Sequence, residues 1–209
     1  MGIVQEKLFI VRPAEPKDNA AIAGLVVEGF LDKFRPIFGR HMDRSMKIME
    51  RWVRLEHTLG GVSSLVVEGP PSEVAASVGV RIGTSDDNAL TRGLWRALRR
   101  DLGYVRACWA ATLLSYPRYD ATPYEAYIER LVVTPEHRHR GMARALLNGA
   151  ESLARDSGKE TAGLHVSGGN VPALKLYETY GYEESSRQHS LLTGYFLGIQ
   201  NWLYLQKEL

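Results

Sequence analysis

The stretch RLVVTPEHRHRGMARALL, residues 130–147, decides the fold. Its first half is apolar and rich in branched side chains, as a strand requires, and Pro135 follows. His137, Arg138, His139 and Arg140 come next, then Gly141, and from Met142 onward the apolar residues recur at helical spacing. Four basic or imidazole side chains thus stand at the mouth of a helix, where the macrodipole is already positive. The arrangement becomes favourable when an anion binds, because the first N–H groups of a helix lack intrahelical acceptors. Gly141 lets a phosphate approach the backbone without meeting a Cβ, and Ala143 keeps the next turn small. The spacing Arg138-x-x-Gly141-x-Ala143 therefore suits a pyrophosphate. The competing reading is a solvated basic turn after a strand. The run is not a P-loop, and it lacks the three glycines of a dinucleotide-binding turn.

Working outward, residues 126–133 read as a buried strand and residues 142–156 as a helix through Leu146, Leu147, Ala150 and Leu153. Another strand is expected over residues 161–167. A short helix over residues 172–180 follows, with Pro172 near its first turn and Gly181 ending it. Two more strands fit residues 184–190 and 201–206. Upstream, residues 8–12 form a strand stopped by Pro13, and Asp18 opens a helix through Ile22, Leu25 and Val26. A second helix covers residues 43–59. Strands at residues 64–68 and 74–82 flank Gly69-Pro70-Pro71-Ser72, a hairpin loop. Residues 83–122 are less regular and read as an insertion, with one helix carrying Leu90, Leu94, Trp95 and Leu98 on one side and Arg92, Arg96, Arg99 and Arg100 around the other. Residues 1–209 are expected to form one α/β domain.

Composition sets the outer bounds. At 209 residues the chain is long enough for one well-buried domain, and its formal charge of +2 is close to neutral. Bulk electrostatics thus give no expectation of nucleic acid, and the arginine-rich helix reads as an amphipathic helix with solvated charges. Cys108 is the single cysteine, so no intramolecular disulfide forms, and no metal site is expected. The start lacks a basic segment followed by a long apolar core, and the most apolar window, ACWAATLLSY, is too short to span a bilayer. A cytoplasmic protein without a membrane partner is expected.

Arg138 to Ala143, RHRGMA, resembles the acyl-CoA-binding signature of the GNAT superfamily of N-acetyltransferases, in which Arg/Gln-x-x-Gly-x-Gly/Ala follows a strand and opens a helix. YIERLVVTP is similar to the strand that precedes that signature. NVPALKLYETYGY is similar to the family's Asn-x-x-Ala-x-x-x-Tyr-x-x-x-Gly-Phe/Tyr segment, with Asn170, Ala173, Tyr177, Gly181 and Tyr182 as its landmarks. The resemblance covers residues 126–182. Its departures are Ala143 in place of the commoner glycine and His139 where glycine is frequent. It implies a mixed, mostly antiparallel sheet of six to seven strands with helices on both faces, and acetyl-CoA as cofactor. It also implies acetyl transfer to a primary amine of a small molecule or peptide by direct attack in a ternary complex, and a possible homodimer. The alternative is a non-catalytic acyl-CoA-binding regulatory domain.

The same resemblance implies cofactor contacts from Leu131, Val132 and Val133 through their main chain, from Arg138, His139, Arg140, Gly141, Met142, Ala143 and Arg144 around the diphosphate, and from Asn170. It implies that Tyr177 protonates the departing thiolate, and a phenol can donate such a proton at neutral pH. Tyr177 also shares a helical face with Leu174, which fits a core aromatic. Glu129 stands where relatives carry a carboxylate that deprotonates the amine, and it equally fits a strand carboxylate paired with Arg130. His165 alternates away from Leu164 and Val166 and is a second base candidate. Phe34, Phe38, Trp109, Tyr116, Tyr119 and Tyr124, with Asp120 and Glu125 nearby, form an aromatic set expected on the acceptor side.

Overall fold

The computed structural model describes residues 9–69, 73–83, 87–117, 119 and 122–209. Seven strands form one sheet: β1 (Val11–Pro13), β2 (Val62–Gly69), β3 (Glu73–Arg81), β4 (Glu125–Val133), β5 (Thr161–Ser167), β6 (Glu183–His189) and β7 (Asn201–Glu208). Their order is β1-β2-β3-β4-β5-β7-β6, and every pairing is antiparallel except β4 with β5. A parallel pair needs a crossover, here the helix α6 (Met142–Asp156). Eight α-helices are described. The others are α1 (Asn19–Gly29), α2 (Leu31–Phe38), α3 (Met42–Leu59), α4 (Asp87–Leu102), α5 (Tyr104–Leu114), α7 (Val171–Thr179) and α8 (Leu191–Leu197). The expected mixed, mostly antiparallel sheet with helices on both faces is present.

Two apolar layers follow from the strand alternation. Val78, Val80, Ala126, Ile128, Leu164 and Val166 meet α6 and α7 through Met142, Leu146, Leu147, Ala150 and Tyr177. On the opposite face Val66, Val132 and Trp202 meet Val26, Phe34, Phe38, Val53 and Leu98 from the first four helices.

The expected α6 and β5 have the boundaries read from the pattern, and the expected helix at 43–59 is α3, one residue longer. Part of the strand expected at residues 8–12, and the hairpin loop at residues 70–72, lie outside the described residues. The segment 83–122 is more regular than expected. It holds α4 and α5, separated at Gly103, whose φ of +78° suits glycine. Cys108 accordingly lies on a helix. α2 is an unexpected element, because Pro36 inside it is a breaker by local rules. Burial of Phe34, Ile37 and Phe38 offsets that preference. No described helix is long and apolar enough to cross a membrane.

Candidate active site

β4 and β5 hydrogen-bond only from Glu125–Thr161 to Ile128–Leu164. Beyond that point β4 stays with β3 as far as Val133, and β5 stays with β7 as far as Ser167. The two strands therefore part, and a cleft of about 1950 Å³ opens at the gap. Residues 129–133 line one side and residues 165–167 the other. Main-chain groups of Leu131, Val132 and Val133 border this gap, where an extended, amide-bearing ligand could add like a strand.

At one end of the cleft the chain turns through Arg138, His139 and Arg140 into α6. His139 has φ +59° and Gly141 φ +90°, so two left-handed residues within three bend the backbone into the helix. Gly141 is the N-cap and offers no side-chain cap, so the first helical N–H groups, those of Met142 and Ala143 among them, keep their donors for an outside acceptor. Arg138, His139, Arg140 and Arg144 are exposed around them. A Cβ at Gly141 would come no closer than 3.8 Å to Phe9, so the left-handed backbone, rather than crowding, calls for glycine there. This end fits a diphosphate.

Asn170 caps α7, its Oδ1 accepting from the Ala173 N–H at 3.3 Å. Tyr177, one residue before the last-but-one of that helix, lines the cleft and is 7 % exposed. Burial pushes its phenol up to about 12. It stays protonated at neutral pH, as a proton donor must.

On the other face of the sheet, β4 carries a bulge. Ser77 pairs with Val132 and Gly79 with Glu129, so Arg130 and Leu131 together oppose Val78. Arg130 has φ +54°. In a regular strand Glu129 and Arg130 would point to opposite faces; the bulge turns both toward α3. There Arg130 Nη2 donates to Glu56 Oε2 at 2.7 Å and stands 2.9 Å from Glu129 Oε1, while Arg81 Nη2 lies 3.6 Å from Glu129 Oε2. Gly79 leaves the room: a Cβ there would sit 2.8 Å from Arg130 Nη2. Glu56 is 1 % exposed, and burial outweighs the pull of Arg130, moving its carboxyl up to about 7.

Beside this network, Tyr127 Oη lies 2.9 Å from His165 Nδ1, and the Gln188 side-chain amide lies 3.3 Å from Nε2. Burial lowers His165 to about 4, so the ring is neutral at pH 7 with both nitrogens engaged. Tyr119 stacks on Tyr127 with ring centroids 3.9 Å apart, and Tyr204 donates to Glu125. Phe34, Phe38, Tyr116 and Tyr119 of the aromatic set line the cleft. Trp109 instead packs edge-on against Phe196, Tyr124 is exposed, and Asp120 lies outside the described residues. Arg81, Tyr127, Glu56 and Lys33 were not anticipated from sequence. Tyr127 carried a signal, since it shares a strand face with Glu129. Among the described residues no group of three His, Cys, Asp or Glu could hold a metal ion.

Residues 79–182 match the Acetyltransferase (GNAT) family model. Fifty-seven residues are 37 % identical to GCN5-related N-acetyltransferase 4, chloroplastic, of Arabidopsis thaliana, covering 27 % of this chain and 20 % of that protein. Seventy-six residues are 32 % identical to streptothricin acetyltransferase of Streptomyces lavendulae, covering 36 % of this chain and 40 % of that one. The chain thus spans a fifth and two-fifths of the curated relatives it matches. It shares its fold with yncA of Salmonella typhimurium, solved with its cofactor acetyl-CoA, at a TM-score of 0.61, 15 % identity, and coverage of 97 % of this chain and 94 % of that one. The parted parallel strands, the glycine-opened α6 and the block ending at Tyr182 all fall within the matched span, and the chain belongs to the GNAT family of acetyltransferases.

Proposed function

We propose that this protein transfers the acetyl group of acetyl-CoA to a primary amine by direct attack within a ternary complex. The observation that carries the reading is the parting of β4 from β5 after Ile128 and Leu164, beside a helix N-terminus with no side-chain cap. Acetyl-CoA supplies an acetyl group activated as a thioester. The α6 terminus, with Arg138, His139, Arg140, Gly141, Met142, Ala143 and Arg144, holds the diphosphate through backbone donors and positive charge. Leu131, Val132 and Val133 align the pantetheine arm along the free edge of β4, and Asn170 adds a polar contact beyond its capping bond.

The two proton tasks fall to opposite faces of the sheet. Tyr177, buried under the α7 side, donates to the departing thiolate. Glu129, on the α3 side, takes the proton from the attacking amine, directly or through water. His165, neutral and with its ring nitrogens occupied by Tyr127 and Gln188, is the second base candidate. The carboxylate oxygens of Glu129 face Arg81 and Arg130, so its orientation is fixed. Binding without transfer, as a regulatory domain, would leave Tyr177 and the Glu129 network without a task.

The test is release of free thiol from acetyl-CoA with a broad panel of primary amines. Turnover is expected, with Glu129→Gln displacing the acid limb of the pH–rate profile. Cofactor binding with no turnover on any amine would favour the regulatory domain. An unaltered profile in Glu129→Gln would remove Glu129 as the base.

A further inference from the structure

Lys33, on α2, is half-buried, and it lines the cleft with an ammonium that the reaction above does not use. Its Nζ donates to the Tyr116 carbonyl at 2.7 Å and lies 5.7 Å from the centre of the Trp202 ring. An ammonium carries three donors, and no carboxylate pairs with this one among the described residues. Asp32 adjoins it in sequence without forming an ion pair. A cation taken out of water without a counter-ion is costly unless a ligand supplies the missing charge. Burial lowers this lysine to about 8, and the pull of neighbouring Asp32 offsets only part of that cost.

Its place in the cleft, beside Trp202, sets it apart from the point where β4 and β5 part. Trp202 and Tyr204 stand two residues apart on the same face of β7, a step of about 7 Å. Tyr204 in turn lies 4.8 Å, ring to ring, from His165 at the point where β4 and β5 part. Resting on the acetyltransferase reading, we infer that Lys33 is the carboxylate-binding residue of the acceptor site. The acceptor is then a primary amine bearing a carboxylate set apart from the reacting nitrogen, as in a dipeptide or an ω-amino acid. Tyr116, Tyr119, Tyr127 and Trp202 supply an apolar wall between the ends.

The experiment compares matched acids and amides as acceptors: 6-aminohexanoate with 6-aminohexanamide, and Phe-Gly with Phe-Gly-amide. Phenylalanine with its amide is the short control. The wild-type protein is expected to prefer each long acid over its amide at least about tenfold in kcat/KM, and to show no such preference in the short pair. Lys33→Gln should erase the preference, read as the acid-to-amide ratio of kcat/KM within the variant, and Lys33→Arg should retain part of it. Equal or better use of the amides by the wild type would overturn the assignment without recourse to any variant, as would an unchanged acid-to-amide ratio in Lys33→Gln. Turnover of other amines with none of the long acids would also overturn it and leave the acetyltransferase reading intact. Absence of turnover on every amine would instead remove that reading, and this one with it.

Discussion

On the face covered by α6 and α7, the centre of the sheet presents Val78, Ile128, Leu164 and Leu205 to an apolar layer. On the face covered by the N-terminal helices, the neighbouring positions are Gly79, Arg81, Tyr127, Glu129 and His165, with Arg130 added by the bulge. The first face needs only matched volumes. The second buries charges that cost free energy unless each finds a partner, and Glu56, Arg130 and Glu129 meet that need by clasping one another. Even so, Glu56 Oε1 and Arg130 Nε and Nη1 are buried without a protein partner. An apolar layer would have been cheaper in stability, so the polar face is where the fold gives up stability for chemistry.

The sharpest break of this contrast is Glu56→Ala. It removes the α3 partner of a buried guanidinium, and breaking a buried pair costs about 3–5 kcal/mol. Urea denaturation should show a loss of that order. A loss under about 1 kcal/mol would mean that Glu129 alone suffices to hold Arg130.

Tyr177→Phe probes the apolar face at its one functional hydroxyl. The ring still fills its place under α7, so the melting temperature should barely move, while the transfer rate falls about tenfold to hundredfold at constant acetyl-CoA affinity. Unchanged turnover would make Tyr177 a core aromatic and nothing more.

The smallest effect concerns His165. Its folded pKa of about 4 lies below the ordinary value of 6.5, so between those limits the unfolded chain binds more protons than the folded one. Stability therefore falls as pH drops from about 6.5 to about 4, and is unaffected by this group above that window. His165→Gln should flatten that part of the stability–pH curve. An identical slope in the variant would show that the ring is hydrated enough to titrate normally.

How much of this was legible in the sequence divides along the same line. The cofactor side is local: Arg138 to Ala143, α6 and the Asn170-to-Tyr182 block are contiguous runs whose spacing carries their meaning. α8 is local too: Ser190 caps it at Thr193, and Gly198 ends it in the left-handed region. The acceptor side was not legible. The bulge at Arg130 depends on Glu56, 74 residues earlier, and on the missing Cβ of Gly79. Read as a regular strand, residues 126–133 would send Arg130 into the α6 core. Lys33 gave no signal either, because α2 forms against the local rule for Pro36 and its burial comes from Trp202, far along the chain.

The most direct test of the central claim is a calorimetric titration of the protein with acetyl-CoA, alongside Arg138→Ala. Saturable one-to-one binding in the micromolar range is expected, weakened at least about tenfold, or about 1.4 kcal/mol, by the substitution. No binding at millimolar acetyl-CoA, or equal affinity in the variant, would contradict a diphosphate held at the mouth of α6.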